Sequence, residues 1–190
     1  MKTSVIIVNY NTSALTKLCV EFLRGHFSYR EAEIIVVNNG FGKYRARGGK
    51  GVRIVNLKAN LGYGASNNRG AAHAGGDVLW FLNPDTVLID NSIKTLLEYC
   101  GKNKSVGIIS PLLYRDKLCH KLQDDFYANR QTMKSLIFRR AKPKINLENS
   151  DFIAVDVVVG ASMVMRHEVF EELGGFDEKI FMYLEDDDLC

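Results

Sequence analysis

The chain has 190 residues, 46% of them hydrophobic and 25% charged, with a formal net charge of +3. That length supports one domain with a sizeable core, the composition is ordinary for a globular protein, and so small a charge gives no basis for nucleic-acid binding. The four cysteines, at positions 19, 100, 119 and 190, form no C-x-x-C pair and show no zinc-like spacing with the four histidines. A reduced, cytoplasmic setting is therefore expected. Val5-Ile6-Ile7-Val8 is too short for a signal-peptide core. No apolar run approaches the roughly 18 residues that span a bilayer, so membrane association is expected only as a peripheral contact on the cytoplasmic face. The basic cluster Arg139-Arg140 with Lys142 and Lys144 reads as a solvated loop or as a patch for anionic headgroups or an anionic acceptor.

Taken in order, Ser4 to Val8 predicts a buried parallel strand ending at Asn9-Tyr10-Asn11, with Thr12 or Ser13 capping a helix. Leu15, Leu18, Cys19, Phe22 and Leu23 recur at helical spacing and mark its expected buried face. Ile34 to Val37 predicts a second strand, ending in Asn38-Asn39-Gly40, and the Gly-, Lys- and Arg-rich stretch 41–51 a surface loop. Val52 to Leu57 predicts a third strand. The glycines of Asn60-Leu61-Gly62-Tyr63-Gly64 then allow a tight turn before a helix over Ala65 to Ala74, stopped by Gly75-Gly76. Gly62 and Gly64 make no dinucleotide fingerprint, because Asn67 stands where the third glycine would be.

Asp77 to Leu82 predicts a fourth, fully buried strand. Pro84 cannot donate to a ladder, so the strand ends at Asn83-Pro84-Asp85 and presents Asp85 at its carboxyl tip. A helix follows, capped by Asn91 or Ser92, with Ile93, Leu96, Leu97 and Cys100 on one face. Residues 112–151 lose periodicity, apart from a short helix expected over Met133 to Phe138. Order returns with the β-branched run Val155 to Val159, the small residues Gly160-Ala161-Ser162, and a helix from His167 to Leu173 stopped by Gly174-Gly175. The last stretch, Leu184-Glu185-Asp186-Asp187-Asp188-Leu189-Cys190, packs four carboxylates between apolar residues. That pattern suits a half-buried helix start more than a solvated tail. A partly buried carboxylate beside like charges has a raised pKa, which suits a general base.

Alternation of β and α elements predicts a parallel sheet. The polar clusters at Asn9-Tyr10-Asn11, Asn38-Asn39 and Asn83-Pro84-Asp85 would then share one rim, outside the carboxyl ends of the strands where ligands of open α/β sheets bind. An amide-rich rim with one carboxylate suits a base, a ribose and a metal-bound diphosphate; the alternative is that asparagine is simply favoured in turns.

These pieces together resemble the family 2 glycosyltransferases of the GT-A fold, especially their bacterial rhamnosyltransferase-like branch. The matching stretches are Val5–Asn11, Ile34–Gly40, Asn60–Tyr63 with Asn67, Phe81–Asp85, Gly160–Met163, Gly174–Asp177 and Tyr183-x-Glu185-Asp186-x-Asp188-Leu189-Cys190. The resemblance implies an α/β, Rossmann-like nucleotide-sugar-binding fold with a mostly parallel central sheet flanked by helices. It implies one domain over 1–190, with a nucleotide-sugar-binding half at 1–110 and an acceptor and catalytic half at 111–190 that is C-terminally short.

It implies that Val8, Asn9, Tyr10, Asn11 and Asn38 hold the base, and that Asn60, Gly62 and Asn67 lie near the nucleotide. Asn83-Pro84-Asp85 stands in place of the family's D-x-D, so Asp85 would hold Mg²⁺ or Mn²⁺ on the diphosphate. Asp186 would be the general base, with Gly160, Ala161, Glu185 and Asp188 on the acceptor side. The implied activity is inverting transfer of a sugar from a nucleoside-diphosphate sugar, dTDP-rhamnose or a UDP-sugar, to a hydroxyl of a glycan or lipid-linked acceptor in cell-surface polysaccharide synthesis. The other readings are a non-catalytic nucleotide-sugar-binding module or fragment needing a partner chain and, less favoured, a sugar nucleotidyltransferase. Two positions depart from the family pattern: Asn38 replaces a common Asp, and Phe41 replaces a small Ser.

Overall fold

The computed structural model describes residues 1–42, 44, 50–88, 90, 92–114, 152 and 154–190. Its centre is a six-stranded sheet of order β3-β2-β1-β4-β6-β5. The strands are β1 (Thr3–Asn9), β2 (Ala32–Asn38), β3 (Val52–Asn56), β4 (Val78–Leu82), β5 (Ile108–Ile109) and β6 (Ser162–Arg166). The described helices are α1 (Ser13–His26), α2 (Tyr63–Ala71), α3 (Ser92–Lys102), α4 (His167–Leu173) and α5 (Glu185–Leu189). No described helix is long and apolar enough to cross a membrane.

β1 to β4 are parallel, as alternation predicts, with Asn9 level with Asn38 and Asn38 level with Asn56. The alternation itself is incomplete: among the described residues no helix separates β2 from β3. β6 runs antiparallel to β4, pairing Leu82 with Ser162 and Trp80 with Val164. The apolar run Met163-Val164-Met165 is its middle, whereas Val155 to Val159 forms no strand beyond an isolated bridge. Because β6 is reversed, its amino end, Gly160-Ala161, lies beside the carboxyl end of β4. This reversal brings a late stretch of chain to the ligand rim.

Strand alternation divides the core. Val5, Ile7, Ile34, Val36, Trp80 and Leu82 face α1 and α3 on one side. Ile6, Ile35, Val37, Leu79, Phe81, Met163 and Met165 face the other side, with Phe170, Phe176 and Leu189. Period two in a strand buried on both faces produces this division. The face of α1 differs from the expected one. Thr16, Cys19, Val20 and Leu23 are buried, whereas Leu15 and Leu18 are 44% and 61% exposed. The Thr12 hydroxyl makes no cap bond to the helix amides and turns to the Asn9 side chain instead. α2 ends at Ala71, before Gly75-Gly76; Gly76 closes tightly on Ser4, where any Cβ would meet backbone. α4 ends as expected, with Gly174 left-handed at φ 81°. Of the 41–51 loop, Tyr44 is buried against the core. The basic cluster at 139–144 and the helix expected over 133–138 lie outside the described residues.

Candidate active site

Three adjacent strands end in asparagine at one level, and their side chains form a ladder. Asn9 Nδ2 donates to Asn38 Oδ1 at 2.8 Å, and Asn38 Nδ2 donates to Asn56 Oδ1 at 3.1 Å. Asn9 Oδ1 accepts from the hydroxyls of Thr12 and Thr16. Asn9 and Asn38 are 2% and 3% exposed. These two expected base contacts therefore spend their amides on the protein, as buried amides must. Val8 is buried in the sheet, while Tyr10 and Asn11 are exposed at its edge, Asn11 with a left-handed φ of 57°. Asn39 extends the network: its Nδ2 donates to Asn60 Oδ1 at 2.7 Å, and its Oδ1 accepts from Leu61 N at 2.8 Å. Asn39 is expected from sequence only as part of the polar rim, and Asn56 carries no site role from sequence; an asparagine closing each of three apolar runs is the signal that points to them.

Gly62 begins α2 at φ 86°, and a Cβ there would collide with the Phe181 carbonyl. That carbonyl accepts the Tyr63 amide at 3.1 Å, so the segment leading to α5 lies across the start of α2. A Cβ on Gly64 would press on Phe176 and Glu185. Small residues here admit the C-terminal segment to the rim.

The turn at Asn83-Pro84-Asp85 is held by Asn83 N donating to Ala161 O at 2.9 Å. Asp85 is exposed and has no hydrogen-bond or ion-pair partner among the described residues. From the adjoining residue, Gly160 N donates to Asp186 Oδ2 at 2.7 Å, and Gly160 O accepts the Tyr63 hydroxyl at 2.7 Å. Gly160-Ala161 thus bridges the turn bearing Asp85 and the carboxylate of Asp186, which are 101 residues apart by their numbers 85 and 186. Tyr63, unassigned from sequence, is the third member of this bridge. Its hydroxyl is pushed above its ordinary pKa, first by burial, with Glu185, Asp186 and Asp85 adding to the effect.

Within the acidic stretch, the side chains divide. Glu185 is 7% exposed, lies against Gly64, and has an Oε2 without a hydrogen-bond partner. Burial first, then the charges of Asp186 and Asp187, hold its carboxyl above the usual range. The raised-pKa carboxylate expected in this stretch is therefore Glu185, buried against the start of α2. Asp186 is half-buried and Asp188 exposed. Asn67, on α2, is 1% exposed; neither amide atom reaches a partner in hydrogen-bonding geometry, although Tyr63 lies near it. Tyr183 and Leu184, just before Glu185, are both left-handed, at φ 65° and 71°, and 78% and 62% exposed.

No group of three His, Cys, Asp or Glu side chains converges among the described residues. Asp85 supplies hard oxygen donors that fit Mg²⁺ or Mn²⁺, in company with further oxygens such as those of a diphosphate.

Residues 4–174 match the family model described as glycosyl transferase family 2. The chain belongs to glycosyl transferase family 2. Within this family it is 32% identical over 165 residues to the N-acetylglucosaminyl-diphospho-decaprenol L-rhamnosyltransferase of Mycobacterium tuberculosis, covering 73% of this chain and 52% of that protein. It is also 32% identical over 142 residues to the rhamnosyltransferase WbbL of Escherichia coli, covering 68% of this chain and 53% of that protein. These relatives place it in the rhamnosyltransferase-like branch. The chain spans about half the length of the curated relatives it matches. Its fold is that of the GT-A glycosyltransferases. A mannosyltransferase of Pyrobaculum calidifontis, solved with GDP-mannose and Mn²⁺, superposes with a TM-score of 0.66 at 14% identity, over 99% of this chain and 50% of that one.

Proposed function

We propose that this family 2 chain binds a nucleoside-diphosphate sugar, dTDP-rhamnose or a UDP-sugar, and directs its sugar to a hydroxyl of a glycan or lipid-linked acceptor with inversion. Residues 1–110 supply the donor side and 111–190 the acceptor and catalytic side. What carries the reading is the Gly160-Ala161 bridge, which gathers Asp85 and Asp186 on one rim. The kinship to rhamnosyltransferases supports the choice of sugar and the setting in cell-surface polysaccharide synthesis.

In this mechanism Asp186 accepts the proton of the acceptor hydroxyl as its oxygen bonds to the anomeric carbon. The bond from that carbon to the diphosphate oxygen breaks in the same displacement, and the nucleoside diphosphate leaves. The Gly160 amide donates to Asp186 Oδ2 and the Asp187 amide to Oδ1 at 3.1 Å, which fixes the carboxylate and leaves each oxygen a further lone pair for the acceptor hydroxyl. Asp85, with Asn83 shaping its turn, faces the diphosphate. A divalent cation held there would offset the charge of the leaving group. Asn60, Gly62 and Asn67 line the start of α2 beneath the donor, and Ala161 and Asp188 border the acceptor side.

The reading is tested by titrating the chain calorimetrically with dTDP and UDP, with and without Mn²⁺, and then assaying transfer from dTDP-rhamnose to a lipid-linked glycan. Metal-dependent binding is expected, weakened about 10- to 100-fold in Asp85→Ala, in keeping with a lost charge-assisted contact. Binding that is indifferent to both metal and Asp85 would remove Asp85 from the site.

A further inference from the structure

Phe41 is 87% exposed, more than any other large apolar side chain among the described residues. It stands three residues beyond the end of β2, on the same rim as Tyr10, which follows β1 directly and is 41% exposed. Both neighbours of Phe41 are glycines, so no adjacent Cβ shields either face of its ring. Gly42 is left-handed at φ 87°, which closes the turn, and a Cβ on Gly40 would stand only 3.1 Å from Asn11 Oδ1.

Asn38 holds this turn in place. Its Nδ2 donates to Gly42 O at 2.7 Å and to Asn56 Oδ1 at 3.1 Å, while its Oδ1 accepts from Asn9. An aspartate here would turn bare oxygens toward two oxygen acceptors. The departure from the family's Asp therefore changes what this side chain does, because the amide pins the turn that carries the exposed ring.

We infer that Phe41 is the stacking platform for the nucleobase of the donor, and that Asn38 presents this ring instead of reading the base edge. The inference rests on the donor-binding reading above. Stacking tolerates any base, because every base has a π-face. The ring would grip uracil, thymine or a purine alike, and sugar and diphosphate contacts would do the discriminating.

The test is calorimetry with UDP, dTDP, GDP and ADP in Mn²⁺, alongside pyrophosphate, for the wild type, Phe41→Ala, Phe41→Tyr and Asn38→Asp. Phe41→Ala should weaken all four nucleotides by a similar factor, roughly 5- to 100-fold, the range of base–aromatic stacking. It should leave pyrophosphate and the melting temperature unchanged, since the side chain is exposed; Phe41→Tyr should restore binding. Asn38→Asp should weaken the four together, without altering their ranking. Phe41→Ala binding within twofold of wild type, or loss confined to one base, would overturn the inference while metal-dependent binding upholds the parent reading. A re-ranking of bases in Asn38→Asp would show that Asn38 reads the edge, and would overturn its part. Wild type that binds no nucleotide would sink the parent reading and the inference with it.

Discussion

Two parts of one rim are built on opposite rules. At the ends of β1, β2 and β3, Asn9, Asn38, Asn39 and Asn56 are tied to one another or to the loops beyond, and the buried amides of the first three find partners. At the end of β4 and around α5, Asp85 stands without a partner among the described residues, Glu185 is buried with an orphan oxygen, and two left-handed residues precede it. The first part is a satisfied scaffold whose hydrogen bonds fix the shape of the rim. The second keeps charge and strain in place at a cost, which is where function usually sits.

The largest effect that could break this contrast is chemical. Asp186→Asn keeps an oxygen for the Gly160 amide but cannot take a proton. It should lower kcat by about 10²- to 10⁴-fold, the usual contribution of a general base, with donor affinity unchanged. A variant that turns over at the wild-type rate would move the base elsewhere in the acidic stretch.

Next is the junction of the two parts. Gly62→Ala combines a left-handed backbone with a clash against the Phe181 carbonyl. A loss of about 2–4 kcal/mol is expected from such strain and overpacking, read in urea melts. A loss below about 0.5 kcal/mol, the size of an ordinary surface change, would mean that the segment before α5 yields freely.

The smallest effect sharpens the account of the acidic part. The folded-state pKa of Glu185 is raised, mainly by burial. Its favourable contribution is thus fully present below the ordinary glutamate value of about 4.3 and is lost as pH rises through the folded value. Glu185→Gln never ionises, so it should melt higher than wild type near pH 7, and the difference should shrink as pH falls toward about 4.3. A gap that is constant with pH would show that packing, not charge, separates the two.

Much of this was legible along the chain. Unbroken apolar runs such as Val5–Val8 and Leu79–Leu82 fit strands buried on both faces, and the Gly174 stop has a left-handed glycine's signature. The family motifs located the rim and its carboxylates. Less legible was anything set by two distant stretches at once. The buried face of α1 shifted to Thr16 and Val20, because the Thr16 hydroxyl is drawn in by Asn9 Oδ1. The raised carboxyl proved to be Glu185, because burial depends on α2 lying over it.

Sequence by itself determined the parallel strands, their polar ends and the family, since periodicity and motif spacing are properties of neighbours along the chain. Only the tertiary structure decided which asparagines are spent on the scaffold, and that Tyr63 and Gly160 join Asp85 to Asp186. Hydrogen bonds between residues 97 positions apart, as from Tyr63 to Gly160, depend on a reversed β6 that no local pattern encodes.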